Sequence, residues 1–156
     1  MSAELRPELG DFCSIVCMKA VIVGIEEALG EKATAISLIA AGRVRGKQVV
    51  EGLGLAGQSL PLEDLTSKLA FALGKDGTRL LVLDKIEQDG EVYRVYTKET
   101  ICSSGEALGS ERQCTFALGA VQGALEAVSG KRFRGKQIES VLRGGTHDTF
   151  EYTPIA

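Results

Sequence analysis

The side chains with metal-binding or thiol chemistry are few: Cys13, Cys17, Cys102, Cys114 and the single histidine, His147. Cys13 and Cys17 are four apart, which on a helix sets both on one face. That spacing suits a soft metal, and equally suits two small buried hydrophobes. Neither Cys102 nor Cys114 can be assigned as a ligand from sequence. Disulfides are not expected, because the chain reads as cytoplasmic and a reducing compartment keeps thiols reduced. His147 has no Ser or Cys near it in sequence with which to form a nucleophilic pair. If 147–153 is a half-buried strand, Asp148, Phe150 and Tyr152 face one way. His147, Thr149 and Glu151 face the other, so His147 is as suited to solvent as to a ligand. No Walker-type loop, nucleophile elbow or H-E-x-x-H is present. The glycines of GLGLAG (52–57) lack the preceding strand and following helix that a dinucleotide loop needs. Direct catalysis is not expected.

The other recurring chemistry is cationic. Arg43-Val44-Arg45-Gly46-Lys47-Gln48 is echoed by Arg132-Phe133-Arg134-Gly135-Lys136-Gln137, each downstream of an apolar helix. Arginine forks suit carboxylate and phosphate oxygens, so the pair reads as two basic hooks. The competing reading is solvated charge on either side of a turn glycine. One echo is too little for a solenoid; a duplicated half-domain or chance would account for it.

These groups must be positioned by a chain of 156 residues, 44% hydrophobic and 25% charged, the composition of a soluble globule. A net charge of −3 argues against nonspecific nucleic-acid binding. The N-terminus is too charged for a signal peptide, and the apolar run from Phe12 to Ile25 contains Lys19 and is too short to span a bilayer. A cytoplasmic chain is expected, with the periphery of a membrane open to it. Residues 1–10 read as a lead-in and 11–156 as one domain.

The elements follow in order. Asp11 is the candidate cap of a helix from Phe12 to Leu29, ended by Gly30. Residues 32–42 suit either a buried strand or a helix. Residues 43–58 read as mainly helical, broken by Gly52, Gly54 and Gly57. A helix runs from Pro61 to Leu73 with Leu62, Leu65, Leu69, Ala72 and Leu73 on one face. Two runs, 78–88 and 91–101, flank Asp89-Gly90 as a two-residue hairpin with a type I′ signature. A polar connection, 103–113, offers Ser110 as cap for the next helix. That helix, 114–130, is the centre of the chain. Cys114, Leu118, Val121, Leu125 and Val128 form its bulky stripe, while Thr115, Gln122, Glu126 and Ser129 form a narrow polar seam. Gly119, Ala120, Gly123, Ala124 and Ala127 leave a small face that something must approach closely: a helix, a sheet or a flat apolar ligand. A second hairpin closes the chain, 131–142 and 147–155 around Gly144-Gly145. The order implies an α+β fold with a mostly antiparallel sheet of two hairpins packed against helices.

The ETIC segment at 99–102, the Cys-x-Phe-x-x-Gly opening of the small-residue helix, Glu139, the glycine turn and the terminal aromatic strand resemble the 4-vinyl reductase domain. That domain is associated with hydrocarbon binding and is related in fold to subunits of the transport-protein-particle tethering complexes. The resemblance covers 78–155 well and the first half loosely. It implies a non-catalytic binding module for a flat hydrophobic molecule such as a tetrapyrrole, in the setting of pigment metabolism or photosystem assembly. The pocket is expected between the central helix and the sheet, at Cys114, Phe116, Gly119, Gly123, Arg132, Arg134 and Phe150. The alternatives are a dimeric assembly factor docking a partner in a membrane-associated complex, and a vinyl reductase, for which no cofactor motif speaks. Many relatives carry two further cysteines in the closing hairpin, where this chain has Leu142 and Asp148. The metal site such relatives resemble is incomplete, and no stoichiometric zinc is expected. Two helices with more apolar surface than one small sheet can cover imply a homodimer. Gln122→Leu on the seam is expected to cost little, and Gly123→Leu much.

Overall fold

A computed structural model of the chain describes residues 5–156; of the lead-in, residues 1–4 lie outside the described residues. Strands β1 (Val82–Asp89), β2 (Val92–Lys98), β3 (Phe133–Glu139) and β4 (Asp148–Pro154) form one antiparallel sheet in the order β1-β2-β4-β3. Both expected hairpins are present. β4 returns beside β2, pairing Tyr93 with Tyr152 and Val95 with Phe150. Alternation puts Val95, Thr97, Phe133, Phe150 and Tyr152 on the covered face, each no more than 1% exposed. The opposite face carries charge, as in the Arg94–Glu151 pair at 3.0 Å. The first turn differs from expectation by one residue. Asp89 pairs with Val92, so the loop is Gly90-Glu91, and Gly90 alone has positive φ (62°). That is the pattern of a II′ turn, not I′.

Helix α1 (Ile15–Leu29) leads through Gly30 into α2 (Glu31–Gly52); α3 (Leu62–Leu73) precedes the sheet and α4 (Phe116–Ser129) lies between the hairpins. The cap of α1 is Ser14, whose Oγ accepts from Val16 N at 3.1 Å, and not Asp11. The open reading of 32–42 resolves as helix, continuous with 43–52, because its glycines fill a contact that only backbone can make. α3 buries Leu65, Leu69 and Leu73 as the periodicity requires. α4 starts two residues later than expected. Ser110 does not cap it; Gln137 Oε1 accepts from Cys114 N at 2.8 Å just ahead of it.

α4 is sandwiched. Its bulky stripe meets the sheet, where Tyr152 Oη donates to Leu118 O at 2.7 Å and Gln122 Nε2 to Phe133 O at 2.8 Å. The seam residue Gln122 is therefore buried and bonded, which corrects the expectation that leucine there is cheap. Its small face meets α2. A Cβ on Gly119 would fall on the carbonyl oxygen of Ile39, and one on Gly123 on that of Arg43. Reciprocally, Gly42 faces Phe116 O and Gly46 faces Ala120 O. The two helices run parallel with their backbones in contact. The two basic hexapeptides adopt different structures, 43–48 inside α2 and 132–137 entering and running along β3. Neither of their glycines is in a turn, and a duplicated half-domain is not what the echo reflects.

Candidate ligand cavity

The space between α4 and the sheet is filled by Leu118, Val121, Leu125, Phe133, Phe150 and Tyr152, all 5% exposed or less. The expected pocket is not there. Phe150 is core, Gly119 is covered by the α2 backbone, Cys114 is buried, Phe116 is half-buried in the first turn of α4, and Arg134 is exposed on β3. Of the expected site residues, Gly123 and Arg132 line a common opening, between α2 and the end of α4.

A cavity of about 760 Å³ lies instead where three connections meet the start of α1. Phe12, Ile15 and Met18 form an apolar wall. Arg79 comes from the α3–β1 connection, and Glu99, Thr100 and Ser103 from the segment after β2. Local folding explains this convergence. Thr78 N, Leu80 N and Leu81 N donate to the last carbonyls of α3, at Ala72 and Leu73, and turn the chain into β1. Lys19 of α1 donates to the carbonyls of Ile101, Cys102 and Ser104 and lies 3.2 Å from Glu106. Arg112 ties Glu106 at 3.0 Å to Glu26 at 2.7 Å, so α1 is held to the 101–112 connection through charge. Burial pushes the Glu106 carboxyl up, but hydrogen bonds from Ser110, Arg112 and Lys19 outweigh it and hold it below its ordinary range.

The only non-glycine residues with positive φ among those described, Arg79 (56°) and Glu99 (53°), both line this cavity. The left-handed conformation costs an L-residue roughly 1–2 kcal/mol, and such strain gathers at functional sites. Arg79 lies with its guanidinium 5.6 Å from the Phe12 ring centroid. The wall thus offers an aromatic ring, aliphatic surface, hydroxyls, one guanidinium, the carboxylates of Asp11 and Glu99 and the Cys13 thiol. Thr100 sits in the ETIC segment that the sequence had singled out; nothing in the sequence marked Arg79 or Phe12.

Behind Thr100 lies a fully buried carboxylate. Asp148 accepts from Thr100 Oγ1 and Ser103 Oγ at 2.6 Å each, from Val141 N at 3.1 Å and from Gln137 Nε2 at 3.4 Å. Cys102 and Cys114 are joined in a disulfide beside it, with Cα atoms 5.1 Å apart, which corrects the expectation of free thiols. The sulfurs and an Asp148 oxygen all lie within 4.8 Å. This donor set does not fit the structural metal that the resemblance implies. Bonded sulfurs are not thiolates, the carboxylate is already occupied by donors, and the remaining place holds buried Leu142. Cys13 and Cys17 are exposed and free. His147 is largely covered and held by a carboxylate: its side chain is 16% exposed and Nε2 lies 2.6 Å from Asp84 Oδ2. That contact, followed by Lys98, holds the Asp84 carboxyl below its ordinary value.

No protein-family model matches the sequence, and no curated protein matches it. Solved structures do. The phenol-responsive sensory domain of the transcription activator PoxR, solved with phenol, superposes with a TM-score of 0.70 at 14% identity over 92% of this chain and 76% of that one. A trafficking protein particle complex subunit 3 from Naegleria fowleri, covalently bound to palmitic acid, gives 0.61 at 13% identity over 91% and 93%. A vinyl-4-reductase family protein from Methanocaldococcus jannaschii gives 0.54 at 17% identity over 96% and 86%. The chain has the vinyl-4-reductase fold. This is the fold relation that the ETIC segment and the Cys114–Gly119 helix opening implied, and it extends over the first half of the chain, where the sequence resemblance was loose. No helix among the described residues is long and apolar enough to cross a membrane.

Proposed function

We propose that this chain is a non-catalytic binding module for a small hydrophobic molecule with a polar end, held in the cavity between the start of α1 and the segments around Arg79 and Thr100. The observation that carries this is the coincidence of this cavity with both strained residues. Its 760 Å³ lies within the range of about 300–1,000 Å³ typical of small-molecule sites. Phenol in one protein of this fold and palmitic acid in another support a hydrophobic ligand with one polar group. A tetrapyrrole, which the sequence resemblance implies, is the largest member of that class to test. Native mass spectrometry of protein from its own cells, with phenol and protoporphyrin IX titrated against purified chain, tests the reading. One ligand per chain is expected, displaced by Ile15→Trp, which fills the apolar wall. Arg79→Gly is expected to weaken binding without lowering stability, since glycine relieves the left-handed strain. Absence of a bound ligand together with no saturable probe binding overturns it.

A second reading has its own observation. α1 turns Lys19 and Glu26 inward to Glu106, Arg112 and the 101–104 carbonyls, and leaves its apolar residues outside. Only Ile22 is buried, while Val16 is 73% and Val21 58% exposed. A helix inverted in this way is suited to a second copy of the chain, and a homodimer accommodates the binding reading as well as assembly with a further protein. Light scattering at twice the chain mass of 16.5 kDa is the expected result.

A further inference from the structure

The two basic hexapeptides, unlike in conformation, converge on one opening. It lies between α2 and the end of α4, has a volume of about 560 Å³ and shares no lining residue with the first cavity. Arg43 and Lys47 reach it from the first hexapeptide, Arg132 from the second, with Lys131 beside it. The parallel packing of α2 on α4 causes this meeting. Gly123 sits against the Arg43 backbone, so one turn further on Lys47 comes level with the end of α4, where the chain enters the second hexapeptide. Ala40, Val44 and Ala127 supply an apolar floor, and Val44 is 59% exposed.

The charges are unevenly committed. Arg43 is paired with Glu126, the one carboxylate in the lining, at 2.9 Å. Lys131 is paired with Glu91 at 2.8 Å. Lys47 lies a loose 3.9 Å from Glu51, and exposed Arg132 is in no ion pair among the described residues. The C-terminal end of α4 adds partial negative charge, which falls off within a turn. Positive charge remains in excess, on Lys47 and Arg132, above an apolar floor.

We propose that this opening is a second site, selective for an amphiphile with a single carboxylate or phosphate head. The head lies between Lys47 and the Arg132 fork, and the apolar part lies along Ala40, Val44 and Ala127. The same head chemistry is offered by a free amphiphile and by an anionic lipid in a bilayer.

The test is calorimetric titration of the full chain with dodecanoate, with dodecanol as the uncharged control, and sedimentation with phosphatidylglycerol vesicles as the second arm. With the first cavity blocked by Ile15→Trp, dodecanoate is expected to bind one per chain and dodecanol much more weakly. Arg132→Glu is expected to weaken dodecanoate about tenfold or more, the loss of a charge-assisted contact. Lys47→Glu, also at an exposed position, is expected to do the same. The first cavity also suits a chain with one polar end, so Ile15→Trp removes its share of dodecanoate, and failure of the first cavity and failure of this site are read separately. Saturation by dodecanoate without vesicle binding identifies a free amphiphile; vesicle binding lost in Arg132→Glu identifies a lipid head. Equal affinity for dodecanol, insensitivity to both charge reversals, or no remaining dodecanoate binding in Ile15→Trp overturns the site.

Discussion

Asp148 has no exposed surface and takes four donors on its two oxygens, two of them hydroxyls from the segment that lines the larger cavity. Removing the carboxylate strands those donors where water does not replace it. Asp148→Ala is expected to lower stability by about 2–4 kcal/mol. Urea unfolding checks this, and an unchanged midpoint would show that the hydroxyls find other acceptors. From sequence this residue read as a poor substitute for a metal-binding cysteine. Its role was not legible there because its partners Thr100 and Ser103 stand 48 and 45 residues away and become neighbours only through the sheet. The disulfide was misjudged for a different reason. Compartment chemistry argued against it, while proximity depends on how the 99–113 connection folds back on the start of α4.

The helices show where periodicity suffices and where it does not. The bulky stripe of α4 and the apolar face of α3 follow from spacing alone. Only the second half of α2 was read as helix and residues 32–42 stayed open; Gly42 and Gly46, where it meets α4, carry no hydrophobic signal and are poor helix formers. Only a facing helix with Gly119 and Gly123 gives them a purpose. Gly123→Ala is therefore expected to destabilise by about 1–3 kcal/mol, since its single methyl lands on backbone that cannot rotate away. Gly24→Ala in α1, where nothing lies within 4 Å, is expected to stabilise by about 0.5–1 kcal/mol through helix propensity. Thermal melts of the two alanine variants check both signs; shifts in the same direction would show that α2 and α4 can part at little cost.

For the molecule as a whole, the α+β class, both hairpins and the fold relation were legible, because each rests on local signals and their order. The cavity was not, since four segments separated by turns and loops build it. If the outer side of α1 binds a second copy, an ionised group in its middle is expected to split the dimer. Val21→Asp should bring the scattering mass down to that of one chain without loss of helix content, and a mass unmoved by it places the contact elsewhere. The α2–α4 contact has one more consequence, for synthesis. Arg43 and its partner Glu126 are 83 residues apart in sequence. At an elongation rate of about 5–20 residues per second, roughly 4–17 s separate their emergence from the ribosome. During that interval the nascent chain carries α2 with its glycine face bare and without α4, its main native partner. The second half must arrive before the first can fold, and until then the exposed helix is a substrate for chaperones.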